Sequence, residues 1–325
     1  MYHHDGRDYQ AAAKQAADYG RQKFTSLLAE GRARSAAVLQ RVMDERPADS
    51  LVPAARLAVD LSREEPWIKC GDVEVGTLHR NALQQLATLR GVLSDSYKRL
   101  DMPSILESFV GAASALGAVP IDAVGSDLRT AMRFALNQIF EPMANEVMCY
   151  GVELRSSDYG VGSLGVDFFA MRVTCTNLAT SQDALRRVHL GARLTDENIQ
   201  YSAKTMELDA QAVCSAMGDV VGHLLSADHI TKVNTGLAAA GSEKLGMSTV
   251  AGLLKEHLGK KEAETAAEMF EKESDIINLP PEPSRWRLSN LLSLMANRES
   301  DSEKKLDLQD TAGKVLGKYM PVAFA

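Results

Sequence analysis

No two of the four cysteines, Cys70, Cys149, Cys175 and Cys214, form a Cys-x-x-Cys pair. Thiols scattered in this way exclude a zinc-finger spacing and a small disulfide scaffold, and they fit a reducing compartment. Long apolar runs are also missing: no segment approaches the roughly 18 uninterrupted apolar residues of a membrane helix. The opening residues MYHHDGRDYQ carry charge where a signal peptide needs an apolar run. A soluble intracellular protein is expected, with no membrane partner. The histidines supply no HExxH, and His223 and His229 lie six apart rather than the four of a helical ligand pair, so no metal is expected. Positive charge is not in excess either. Lys and Arg number 36 against 43 Asp and Glu, giving a net charge of −7. A polyanion would therefore need a local basic patch on an acidic body. Solenoid repeats are absent.

The chain does have enough apolar content, 45% over 325 residues, for one large core or two modest ones. Three regions are expected: a helical arm and linker over 1–66, an α+β core over 67–194, and a helical region over 195–325. Tyr9 to Asp44 carries an apolar stripe (Leu27, Leu28, Ala36, Val38, Leu39, Val42) and ends at Arg46-Pro47. It fits a packing helix, or an arm that reaches a neighbouring subunit or a polyanion through Arg21, Lys23, Arg32, Arg34 and Arg41. Short helices are expected at Ala54–Leu61 and Leu78–Leu89, a hairpin at Trp67–Val75 around Gly71-Asp72, and a helix over Ser104–Leu116 behind Pro103. Leu128–Ile139 fits both the strand and the helix period.

The stretch Tyr150 to Arg193 organises the rest. Gly151–Arg155 and Val166–Thr174 pattern as strands around a glycine-rich loop, with a short strand or turn at Leu185–Val188. Gly160-Val-Gly162-Ser-Leu-Gly165 matches GxGxxG, yet β-patterned sequence follows where a dinucleotide site needs a helix, so no cofactor is expected. After Thr195-Asp196, which can cap, the chain is helical through most of its length, with helices at Val250–Leu258, Lys261–Glu273 and Trp286–Asn297. The expected fold is α+β: a small, mostly antiparallel sheet from Trp67–Val75, Leu93, Val119–Val124, Gly151–Arg155 and Val166–Thr174, flanked by helices, with a helical C-terminal half.

Arginines gather in the β region: Arg129, Arg133, Arg155, Arg172, Arg186, Arg187 and Arg193, interleaved with Tyr150, Tyr159, Phe168 and Phe169. Guanidinium groups on phosphates and aromatic faces under bases are how single strands are held. The competing reading is a sheet edge with core aromatics, and acidic residues such as Glu146, Glu153, Asp158 and Asp167 dilute the signal. Those carboxylates have no nucleophile to serve, and Cys175 at the end of an apolar strand fits a buried, inert thiol. No catalytic residue is expected.

Four pieces in order resemble a known family. They are RGVLSDSYKRLD (Arg90–Asp101), VELRSSDYGVGSLGVDFFAMRVTCTNLAT (Val152–Thr180), Val188-His189-Leu190-Gly191, and SRWRLSNLLSLMANRES (Ser284–Ser300). Together they look like the phage/plasmid-like proteins grouped as domain of unknown function 932. Leu178 stands where that pattern has Gly after Cys-Thr-Asn, and Asn290-Leu291-Leu292-Ser293 replaces its Asn-Ala-x-Thr. The resemblance implies phages, prophages and conjugative plasmids, a bacterial cytoplasm, and a setting among genes that handle single-stranded DNA.

The leading expectation is thus a non-enzymatic DNA-metabolism protein of a phage or mobile element. It would bind single-stranded DNA as a homo-oligomer and promote annealing or recombination. Lys98, Arg99, Arg155, Arg172, Arg186 and Arg187 would meet phosphates, and Tyr97 and Tyr159 would stack under bases. The alternative is a structural or assembly protein that self-associates through its helices. A nucleotide-using enzyme at Gly160–Gly165 is the third.

Overall fold

The structure is a computed structural model, and it describes residues 9–44, 51–53, 67–70, 73–76, 91–93, 102–125, 130–156, 164–181, 185–187, 202–272, 279 and 282–320. Four strands form an antiparallel meander: β5 (Ala118–Gly125), β6 (Thr130–Leu136), β7 (Met148–Ser156) and β8 (Leu164–Arg172). The outer edge of β8 pairs with two further strands, β9 (Asn177–Thr180) beside its C-terminal end and β10 (Leu185–Arg187) beside its start. The protein is α+β, with a helical C-terminal half.

Both faces of this sheet are buried. Val152, Leu154, Val166 and Phe168 join a core closed by α2 (Met102–Ala115), α3 (Ala203–Leu224) and α4 (Ala227–Ser242). Cys149, Phe169 and Met171 join a second core under α1 (Tyr9–Asp44). A sheet covered on both sides carries apolar residues at successive positions, so the alternation that marks a half-exposed strand is blurred. This is why Leu128–Ile139 fits either period in sequence, although it supplies a central strand.

Helix α1 covers its face with a stripe at three- and four-residue spacing: Ala13, Ala17, Gly20, Phe24, Leu27, Leu28, Gly31 and Ser35. One face of a helix repeats at that spacing. Gly31 lies against the backbone of Ile121 in β5, where a Cβ would clash, and Gly20 lies by Thr174 and Val147. Small residues let α1 cross the sheet closely, from the β8–β9 turn to β5. The N-terminal helix is thus a packing element of the core.

The C-terminal helices follow from their caps. The side chains of Ser202, Ser226, Ser284 and Asp301 accept backbone N–H groups at the starts of α3, α4, α7 (Arg285–Arg298) and α8 (Ser302–Leu316). Between α4 and α7 lie α5 (Met247–His257) and α6 (Lys260–Lys272). Ser226 separates α3 from α4, and the α8 segment, mixed in charge, is helical too. Gly317, at φ 52°, ends α8 in a conformation that favours glycine.

Two expected contributions to the sheet lie elsewhere. Strands β2 (Trp67–Cys70) and β3 (Val73–Gly76) form the expected hairpin but, among the described residues, pair only with each other. Strand β4 (Gly91–Leu93) pairs in parallel with β1 (Leu51–Pro53). The helices expected at 54–61 and 78–89, and the caps at 195–196, lie outside the described residues. Among the described residues, no helix is long and apolar enough to cross a membrane.

Candidate nucleic-acid surface

The arginines of the sheet face inward. Asp122, Arg133, Glu153 and Asp167 are register partners across β5, β6, β7 and β8. Their side chains form one row of charges inside the protein. Arg133, 1% exposed, pairs with Glu153 and with Asp122 at 2.7 Å, and donates to Gln309 of α8 at 2.5 Å. Arg155 pairs with the same Glu153 and donates from Nη1 to Asp310 at 2.6 Å. Thr180 completes the cluster by donating to Asp310 at 2.8 Å. Burial works against the charge on Arg155, but Glu153, Asp310 and Asp167 hold its pKa above the ordinary arginine value.

At the other end of β8, Arg172 is 2% exposed and gives Nε and Nη2 to Glu146 at 2.7 and 3.0 Å. This bidentate pair locks the turn before β7 to the end of β8. Burial pushes the Glu146 carboxyl up and Arg172 opposes that push. The remaining nitrogen, Nη1, reaches the Cys175 sulfur at 3.9 Å. Burial raises the Cys175 pKa, which keeps it a thiol.

The expectation that Arg155 and Arg172 meet phosphates is therefore corrected, because carboxylates already hold both. Tyr150, Phe168 and Phe169 are core residues and offer no stacking platform. Arg186 and Arg187 lie on β10, the outermost strand, opposite Gly165 and Leu164. The glycine-rich segment leads into a strand at Leu164, not a helix. Tyr97, Lys98, Arg99 and Tyr159 lie outside the described residues, as does Arg129.

Exposed positive charge is found instead on α1. Over residues 10–36 this helix carries Lys14, Arg21, Lys23, Arg32 and Arg34 against Asp18 and Glu30, a net +3 on a chain of net −7. The spacings of seven and eleven residues are near-whole numbers of helical turns. They set Lys14, Arg21 and Arg32 in one row and Lys23 and Arg34 in another, one on each flank of the buried stripe. Arg21 is engaged by Asp18 and Glu141, and Arg34 by Glu30 and the Ile121 carbonyl. Lys14, Lys23 and Arg32 have no carboxylate partner among the described residues, and Lys23 lies 5.5 Å over the Tyr19 ring. The sequence did show these cations as an arm. What it hid was which of them the fold leaves facing water.

Among the described residues, no group of His, Cys, Asp and Glu could hold a metal ion. No family model matches the chain, and no curated protein or solved structure does either. The likeness to the phage/plasmid-like family rests on the four quoted pieces alone.

Proposed function

We propose that the protein binds single-stranded DNA along the outward flanks of α1, in the setting of phage or mobile-element DNA metabolism that the family resemblance implies. The observation that carries the reading is the net +3 of α1 on an acidic chain, with three cations that have no carboxylate partner among the described residues. Lys14 and Arg32 are 18 residues apart, about 27 Å along the helix, so the rows have the reach to follow a backbone rather than one phosphate. Tyr19, 52% exposed on the same helix, adds an aromatic face that a paired base could not reach.

The sheet faces take no part, since α1 and the C-terminal helices cover them. Self-association through helices is the weaker reading. The exposed large apolar side chains among the described residues are Tyr19, Leu116, Leu208 and Met247, scattered over different elements, and form no continuous patch.

Anisotropy of a labelled single-stranded oligonucleotide tests the proposal, with wild-type protein compared against the triple variant Lys14→Gln, Lys23→Gln, Arg32→Gln. Removing three phosphate contacts should weaken binding at low salt at least tenfold and flatten the salt slope by about 2. Unchanged affinity in a variant with wild-type circular dichroism would remove α1 from the binding surface.

A further inference from the structure

A cavity of about 400 Å³ opens between the first turns of α1 and the β8–β9 turn. The methyl groups of Ala12 and Ala16, one turn apart on α1, leave room for it between the longer side chains of Gln15 and Tyr19. The Tyr19 ring forms one wall, and Arg172, Thr174 and Cys175 form the other. The turn is tightly shaped, with Thr176 at φ 56°, a region that β-branched residues rarely adopt.

The charge on the described walls is one-sided, since Arg172 is their charged residue. Arg172 Nη1 has two N–H groups, and its one partner among the described residues is a sulfur at 3.9 Å. Such a contact satisfies a guanidinium poorly. The hydroxyl of Thr174 and the amide of Gln15 add donors at the same opening. Among the described residues no carboxylate lines the cavity, since Glu146 is turned into its pair with Arg172. Lys23, which does not line the cavity, stands 5.5 Å over the Tyr19 ring. A fitting ligand is therefore flat, rich in acceptors along its edge, and joined to an anionic group outside.

We infer that this cavity is a nucleobase pocket, in which a base lies against Tyr19 and turns its carbonyl and ring-nitrogen acceptors toward Arg172, Thr174 and Gln15. The acceptor edges of all four bases suit such donors. The attached phosphate stays outside beside Lys23. This rests on the single-strand reading, and adds to it a second source of affinity that does not depend on phosphate charge. The base belongs either to a strand or to a free mononucleotide, and the two arms of the test separate these.

The test compares an oligonucleotide with an abasic one of equal length, which keeps every phosphate and loses the bases. Wild-type protein should bind the normal strand roughly tenfold tighter, the effect of one stacked base. Ala16→Leu, which fills the cavity, and Tyr19→Ala, an exposed helix position whose loss leaves the core intact, should each remove that preference while abasic binding persists. A mononucleotide that competes only with the normal strand would give the base a free source as well, and failure to compete would confine the pocket to strands. Equal wild-type affinity for both strands would overturn the pocket and leave the α1 surface standing. No binding of either strand would overturn both.

Discussion

Glu153→Gln is the sharpest test of the buried charge row. The substitution keeps shape and volume, so it removes the charge without opening a cavity. Two guanidinium groups lose their shared anion: Arg133, 1% exposed, and Arg155 beside it. Stranding a buried charge costs about 3–5 kcal/mol. Arg133 keeps Asp122 at 2.7 Å, and Arg155 keeps Asp310, so the lower end, about 3 kcal/mol, is expected. The control is Arg21→Gln, which removes exposed, solvent-screened pairs to Asp18 and Glu141 and should shift the unfolding midpoint far less. Urea unfolding followed by far-UV circular dichroism measures both, with the midpoint shift converted through the slope. If Glu153→Gln costs no more than Arg21→Gln, the row is not a buried, mutually dependent network and the reasoning fails.

Two further outcomes follow from single residues. His229, 2% exposed and with no hydrogen-bond partner for Nε2 among the described residues, has its pKa lowered to about 4 by burial, with His223 and Lys232 adding to the shift. The unfolded chain takes up a proton as pH falls through about 6.5, while the folded state resists until about 4. Stability from this group is therefore complete above about 6.5 and lost between there and about 4, on the order of 3 kcal/mol in all. His229→Leu should remove that part of the acid sensitivity in urea titrations near pH 7.5 and 4.5, and an unchanged difference between the two would contradict the assignment. Gly313→Ala would drive a Cβ into the Thr180 backbone and should lower the melting temperature sharply, whereas Gly111→Ala, in an open position on α2, should leave it level or raised. Equal shifts would show that the helix–strand approach at Gly313 is not tight.

The fold class could be drawn from the sequence because β7 and β8 are long apolar strands around a glycine-rich connection, and because the C-terminal helices keep a regular three-and-four spacing. Sheet membership could not. Trp67–Val75 and Leu93 have the composition of sheet strands, but composition does not say which partner a strand takes. Thr130–Leu136 is buried on both sides, which erases the period that would mark it. The site was less legible still. In sequence, Arg155 and Arg172 look like any basic residue near aromatics. Pairing register, not local sequence, brings Glu153 beside Arg133, while Arg155 lies two residues further along the same face of β7, and Asp310 arrives from 155 residues away. The α1 cations were visible, but only the buried stripe beneath them shows that they lie on a fixed surface.

The most direct measurement of the central claim is the affinity of the wild-type protein for a single-stranded oligonucleotide across a series of salt concentrations, with duplex as control. Three to five α1 cations on phosphates predict a slope of about −2 to −3.5 in log affinity against log salt, with preference for the single strand. Affinity that ignores salt, or no binding at micromolar protein, would contradict a DNA surface on α1.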